Sequence, residues 1–567
     1  MRTLVAFTLL AALAGATCAE DKVPGVIISM SMLSAEALEV SYQVPAGCTR
    51  LDFANVGIRT QAAVAMRQDW TPLDSCAKLD GDAVRINPSC SAVRLRVPAV
   101  ERKLDRVFPW ALPINSGIYS HTSAFAITDT CGASHWHFSS PAGAIVVDGV
   151  PGGERSVRVA GQGQSDYMPV VFLQQPLGAG PDRTLHVDPR ISMPARTFLQ
   201  ETLSAINAGY TRELPLLDFP QPFVLAAVNS GDAPWHGDVA GRNTMRLMFP
   251  ASLTKVEEGQ MRFFLAHEIA HLLQPLRMED RWNSESTMIK EGGAEFLAWQ
   301  TNARHGWMDQ DALARKLDGA INACLMAADD QSWKAMPQRG WGKIPYDCGL
   351  AFHVIGLGDS ASRLPAALLL RNYYRDAGRR HVTDFAHALE CGDSMRCQPK
   401  WLARVLGSDE PLAAIIAQFS AASGLLKPAG IWSREQIEPA TRLALSKLMA
   451  SDCHGEVSFY TNPDSVKIAP VRSCASLREG MEVIAAEGLP LFTDRAAGAA
   501  LITACKTSGN TTLTLRGGLP LVLACDKSIG TEPVLYAVNL PLLLKRLQVK
   551  QAAGRRSESS RSQFIKD

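Results

Sequence analysis

The sequence predicts a multidomain α+β protein: an N-terminal β-sandwich, a mixed sheet leading into a helical block, and a second strand-rich block. Three observations predict it. The apolar period is strand-like up to about residue 165, mixed and then helical to about 448, and strand-like again beyond 452. A chain of 567 residues is long enough for three or four domains. Finally, twelve of the thirteen cysteines fall in three groups of four, one group to a block, as Cys48 to Cys131, Cys324 to Cys397 and Cys453 to Cys525.

Residues 1–19 read as a secretory signal, with Arg2 as the charged start, an apolar core from Leu4 to Gly15 and a small-residue cleavage site near Ala19. An even number of cysteines in the exported chain favours disulfides, and Cys391 and Cys397 are close enough to close a small loop. The block 20–165 carries alternating segments such as Val26 to Met32, Ala37 to Val44 and Val93 to Val97, separated by Gly and Pro clusters. The block 166–448 opens with strand candidates Val170 to Leu173, Phe223 to Val228 and Met245 to Phe249, and a helix from Pro194 to Ala208 lies between the first two. Helices follow, among them Asp311 to Ala323, Leu364 to Asp376 and Pro411 to Ala422. Strands return in 449–540, around a helix from Ala496 to Ala504. The remaining 541–567 is basic, lacks an apolar face and reads as a disordered tail.

Lys plus Arg number 57 against 56 Asp plus Glu, a net charge of +1, so the charge balance gives no reason to expect nucleic acid. No stretch after the signal approaches 18 apolar residues, so no membrane span is expected. The residues leave the oligomeric state open.

The chemistry is concentrated in His267-Glu268-Ile269-Ala270-His271. No Gly or Pro interrupts the apolar run around this H-E-x-x-H string before Pro275, which predicts a helix. Positions i and i+4 share one helical face, so His267 and His271 can offer two imidazoles to one metal ion. Glu268 lies beside them, in reach of a water at the open coordination position. A catalytic zinc takes three protein ligands, and a second helix offers Glu291 within Glu291-Gly292-Gly293-Ala294-Glu295-Phe296. Nineteen residues lie between His271 and Glu291, enough for a turn and a return. Glu285 falls in a polar, loop-like stretch and would be held less firmly. Glu295, one turn beyond Glu291, is placed to fix the tautomer of a ligand histidine.

These motifs resemble the gluzincins, the thermolysin-like zinc peptidases, and E-G-G-A-E-F is similar to a segment of their aminopeptidase branch. The resemblance implies a thermolysin-like catalytic domain, one Zn²⁺ held by His267, His271 and Glu291, and Glu268 as general base. It also implies that Tyr346, in Pro345-Tyr346-Asp347-Cys348-Gly349, donates a hydrogen bond to the developing oxyanion. Leu477 to Gly488 resembles the centre of a PDZ domain, with Met481 where Asp is usual. The three blocks together resemble the glycyl-aminopeptidase family. The spacing to Glu291 fits thermolysin-like enzymes better, and the G-x-M-E-N segment that reads a substrate amine is absent. The implied activity is hydrolysis of peptide bonds in peptide or protein substrates by an exported enzyme, periplasmic or extracellular. Two other readings share the ligands: an inactive, zinc-stabilised scaffold binding peptides through its PDZ-like block, and a non-peptidase zinc hydrolase.

Overall fold

The computed structural model describes residues 25–56, 60–101, 110–114, 117–140, 143–152, 155–158, 167–177, 184–213, 222–229, 236–241, 243–250, 258–274, 284–328, 331–336, 339–340, 342–359, 400–429, 434–455, 458–469, 474–494, 496–526, 529 and 534–549. The signal segment, the expected helix Leu364 to Asp376, and Cys391 and Cys397 lie outside them. The chain divides into two compact units, Met1–Ala179 with Asn229–Gly231, and Gly180–Val228 with Asp232–Asp567. No helix among the described residues is long and apolar enough to cross a membrane.

In the first unit the alternating segments become strands. A six-stranded sheet runs in the order Arg155–Arg158, Ser134–Ser139, Val26–Ser34, Ala37–Gln43, Ala92–Pro98, Thr71–Pro72. Its register pairs Ile28 with Tyr42 and Tyr42 with Val93, so these buried side chains share one face. A five-stranded sheet contributes Ile118, Ile145, Val170 and Phe172 to the same apolar core. The strand Pro169–Leu173 therefore lies centrally in this sheet, between Ile145–Val147 and Gly117–His121, and does not open the next block as its sequence suggested. All five of its residues are buried, so its pattern carries no sign of which sheet it joins. Disulfides Cys48–Cys131 and Cys76–Cys90 close loops within this unit.

The second unit begins with a four-stranded sheet ordered Leu185–Val187, Phe223–Asn229, Thr244–Pro250, His236–Ala240. Its first pair is parallel and needs a crossover, which helix α2 (Met193–Glu213) supplies; α1 is Thr60–Arg67 in the first unit. Four helices then build the site: α3 (Glu258–His271), α4 (Ser284–His305), α5 (Gln310–Ala328) and α6 (Ile344–Asp359). Helix α3 tightens at its end, Leu272 and Leu273 donating to Ile269 and Ala270 three residues back. Helix α5 starts where Asp309 accepts from the Ala312 amide at 2.7 Å. In α6 Pro345 occupies the first turn, where no amide is needed. Because α4 begins at Ser284, Glu285 falls in a helical turn and not in the expected loop.

Helices α7 (Lys400–Gly407) and α8 (Leu412–Ser423) complete the helical core. Helix α9 (Arg434–Asp452) gives Leu445, Leu448 and Met449 to a separate core under the C-terminal sheet, together with α10 (Ala496–Ser508). Disulfides Cys453–Cys474 and Cys505–Cys525 tie this block. The chain then returns. Tyr536–Val538 pairs antiparallel with Leu426–Pro428, and Asn322 of α5 both accepts from the Tyr536 amide and donates to its carbonyl, each at 2.8 Å. A further helix, α11 (Leu540–Arg546), buries Leu543 completely in the helical core. Residues 541 to 546 are thus a docked helix, where a tail was expected. The sequence sign was present: Asn539 caps the helix and leucines at 540, 543, 544 and 547 form an apolar face.

Candidate metal centre

Helices α3 and α4 carry the expected ligands. The metal-ligating atoms of His267, His271 and Glu291 lie within 4.8 Å of one another. Glu291 Oε2 is 3.4 Å from His267 Nε2 and 3.2 Å from His271 Nε2, and the two Nε2 atoms are 3.1 Å apart. The three side chains are buried or half-buried.

The hydrogen bonds around the rings assign their tautomers. His271 Nδ1 faces Gln274 Oε1 at 2.9 Å, so Nδ1 holds the proton and Nε2 presents a lone pair. Gln274 is oriented by its own bond to the Lys290 carbonyl of α4, at 2.6 Å. His267 Nδ1 lies within ion-pair distance of Glu295 Oε1, at 3.2 Å but off hydrogen-bond geometry, and a proton on Nδ1 is the arrangement this carboxylate favours, which leaves Nε2 its lone pair. Two nitrogen lone pairs and a carboxylate oxygen therefore converge, and Glu291 Oε2 is a buried atom with no hydrogen-bond partner. Such a cluster is repulsive unless a cation sits among its atoms. Two imidazoles and one carboxylate suit Zn²⁺, so the residues fit the group.

The electrostatics agree. Burial alone would lower the pKa of His267, but Glu291, Glu295 and Glu268 override it and lift it to about 10, so the carboxylates favour positive charge here, whether a proton on the ring or a metal ion in its place at Nε2. His271 is lowered, chiefly by burial. Glu291 is held well below the carboxylate range by the two imidazoles, against burial. Glu295 is held at about 2, against burial, by Lys316 and His267. Glu268 is pushed up to about 8 by burial, reinforced by Asp238 and Glu291 and opposed by His267. It is the one buried carboxyl of the group poised to exchange a proton near neutrality.

Tyr346 opens α6 and stacks on His267, ring centroids 5.7 Å apart and planes 16° from parallel. Burial and the neighbouring Glu291 and Glu268 raise its pKa, so its hydroxyl stays a donor. Its approach depends on two glycines. A Cβ on Gly292 of α4 would lie 2.2 Å from Gly349 Cα of α6, so the two backbones touch there. That contact explains a glycine in the middle of α4, where helix propensity disfavours it.

Sequence reading singled out all six residues gathered here: His267, Glu268, His271, Glu291, Glu295 and Tyr346. It missed Gln274 and Lys316, whose Nζ lies 2.6 Å from Glu295 Oε2. The signal for Gln274 was its position three residues after His271, just past the end of α3. The other group of possible ligands among the described residues, Asp452 with Cys453 and Cys474, is not a ligand set, because its cysteines are disulfide-bonded.

No protein-family model matches the chain, and no curated protein matches it by sequence. Solved structures do. An aminopeptidase N family protein from Idiomarina loihiensis superposes with a TM-score of 0.56 at 12% identity, over 92% of this chain and 100% of that one. A yeast LTA4 hydrolase in complex with bestatin gives a TM-score of 0.37 at 13% identity, over 76% of this chain and 72% of that one. The first likeness defines the class of fold, the multidomain α+β architecture of an aminopeptidase N family protein.

Proposed function

We propose that the protein is an exported zinc metallopeptidase. The observation that carries the reading is the convergence of His267 Nε2, His271 Nε2 and Glu291 Oε2, with Glu268 and Tyr346 beside them. The fold shared with an aminopeptidase N family protein supports it. The five disulfides among the described residues fit an oxidising compartment.

Bound zinc supplies a Lewis acid that acidifies a water and polarises the scissile carbonyl. The chain does the rest. Glu268, with its raised pKa, takes the proton of the attacking water and delivers it to the leaving amine. The Tyr346 hydroxyl donates to the oxygen on which negative charge develops. Gln274 and Glu295 keep both imidazoles turned with Nε2 inward. In this reading 449–540 is a PDZ-like module that takes extended chain segments by strand addition. Its support is the order of strand Glu482–Ala486, helix α10 and strands Asn510–Leu515 and Pro520–Ala524.

Digestion of a peptide library, read by mass spectrometry, tests the function. The zinc-loaded wild type should cleave, and Glu268→Gln should keep zinc yet lose nearly all turnover. Cleavage by Glu268→Gln at the wild-type rate overturns the mechanism. A zinc-loaded wild type that cleaves no peptide favours the scaffold or a non-peptidase hydrolase.

A further inference from the structure

Helix α5 contributes no ligand, yet it reaches each helix that does. Lys316, in its second turn, pairs with Glu295 of α4 at 2.6 Å. The same ammonium lies 4.5 Å from the ring centroid of Phe263, one turn before His267 on α3. Lys316 also faces Asp347 of α6 electrostatically, and the Cys324–Cys348 disulfide joins α5 to α6 at the residue after Asp347. One side chain on a bystander helix therefore touches the carboxylate beside His267 and lies against the helix that carries both histidines.

The chain of contacts has a direction. Glu295 has two oxygens: Oε1 faces His267 Nδ1 at 3.2 Å and Oε2 faces Lys316 Nζ. A carboxylate held at one oxygen can turn about its last bond; held at both, it cannot. Glu295 is nearly buried, so water is poorly placed to replace the ammonium. Without Lys316, Glu295 would be a buried charge lacking its cation, free to turn from the imidazole.

We propose that Lys316 is a positioning residue of the metal centre, clamping Glu295 so that it fixes the ring and tautomer of His267. This rests on the metal reading above and goes beyond it, since neither the ligand set nor the general base implies a cation on α5.

The test measures zinc binding and not turnover. Zinc affinity of the full chain is determined by chelator competition for wild type, Lys316→Met, Lys316→Arg, Glu295→Gln and the double variant Glu295→Gln/Lys316→Met. Loss of an outer partner of a metal ligand costs about 10–100-fold in affinity, and Lys316→Met should fall at the lower end, about tenfold. Lys316→Arg, which keeps charge and donor, should restore most of it. Adding Lys316→Met to Glu295→Gln should cost nothing more, because the clamp acts only through Glu295. Visible spectra of the cobalt-loaded proteins should shift for Lys316→Met and not for Lys316→Arg. Should Met perturb folding, seen as a lowered melting temperature of the metal-free protein, Lys316→Gln is judged by the same criteria. Zinc affinity within twofold of wild type, or an equal loss in the Glu295→Gln background, overturns the proposal. A wild type with no zinc affinity overturns both this proposal and the metal reading. A wild type that binds zinc but cleaves no peptide overturns only the peptidase reading, and the zinc comparison still decides Lys316.

Discussion

Tyr346 is held by its ring, and in the proposed mechanism its hydroxyl is the donor to the developing oxyanion. Stacking on His267 sets the ring, and burial, with the carboxylates nearby, keeps the phenol protonated. Removing that one donor should cost about 10²–10³ in kcat, the usual effect of losing a single oxyanion contact. Tyr346→Phe, assayed on a peptide from the library digest, should show that fall with zinc content and melting temperature unchanged. A lower melting temperature with normal kcat would make it a packing tyrosine instead. At this scale the sequence is most informative where geometry is local. His267 and His271 share a face because any helix puts i and i+4 together, whatever surrounds it. Lys316 and Gln274 are different. Each is an ordinary polar residue, Lys316 within α5 and Gln274 just past the end of α3, and its meaning comes from a neighbour sixteen or more residues away, as Lys290 is from Gln274.

Between helices, the Gly292–Gly349 contact sets how near α6 comes to α4. Gly292→Ala would place a methyl carbon 2.2 Å from backbone, which no rotamer relieves. The helices must part, at about 1–3 kcal/mol by analogy with overpacked cores, and Tyr346 moves with them. Urea unfolding should show the loss of stability, together with a lower kcat. Unchanged stability and turnover would mean the crossing tolerates a side chain. A second element-level effect lies where α5 meets the returning strand. Asp318 accepts from the Val538 amide at 2.7 Å, and burial pushes its pKa from 3.8 up to about 6. A carboxyl with a raised folded pKa binds its proton more tightly in the folded state. Its contribution is full below about pH 4 and is lost as pH rises through about 6. Asp318→Asn keeps the acceptor and removes the charge, so it should stabilise the protein by about 1 kcal/mol at pH 8 and leave it unaltered near pH 4. Melting curves at the two pH values decide it; a destabilisation at pH 8 would show the charged form to be favourable. Periodicity found the body of α5, expected over Asp311 to Ala323, because its apolar face is locally encoded, but it read the first turn of α4 as loop and set no bounds on α6. It could not show that a glycine in α4 exists for a glycine in α6.

Across the whole molecule, the C-terminal block and the helical core are held together twice. Helix α9 supplies side chains to the C-terminal core, and after that block the chain comes back to lay Tyr536–Val538 and α11 on the helical core. Arg546 donates to the carbonyls of Gly358 and Ser423, at the ends of α6 and α8, where cations are favoured. A chain ending near Leu448 should therefore be unstable and zinc-poor, since it uncovers the surface that Leu540, Leu543 and Leu544 bury. Thermal melting and zinc stoichiometry measure this; a truncated chain that melts like the full one and cleaves short peptides would make the block a detachable module. The block order was legible from the change in period, and its return was not. A short helix following a sheet reads as an ending, and only the partner surface shows that Leu543 belongs to a core begun hundreds of residues earlier.

The bond between Asn322 and Tyr536 spans 214 residues, and synthesis runs in one direction. When His267, His271 and Glu291 have emerged, the strand and helix that close their core have yet to be made. Assembly is slowest where distant segments must meet. A nascent chain thus displays its ligands on an unfinished scaffold for the whole time the C-terminal block takes to appear. If the chain is the peptidase proposed above, its activity should appear only once the strand Tyr536–Val538 and helix α11 have been made and docked.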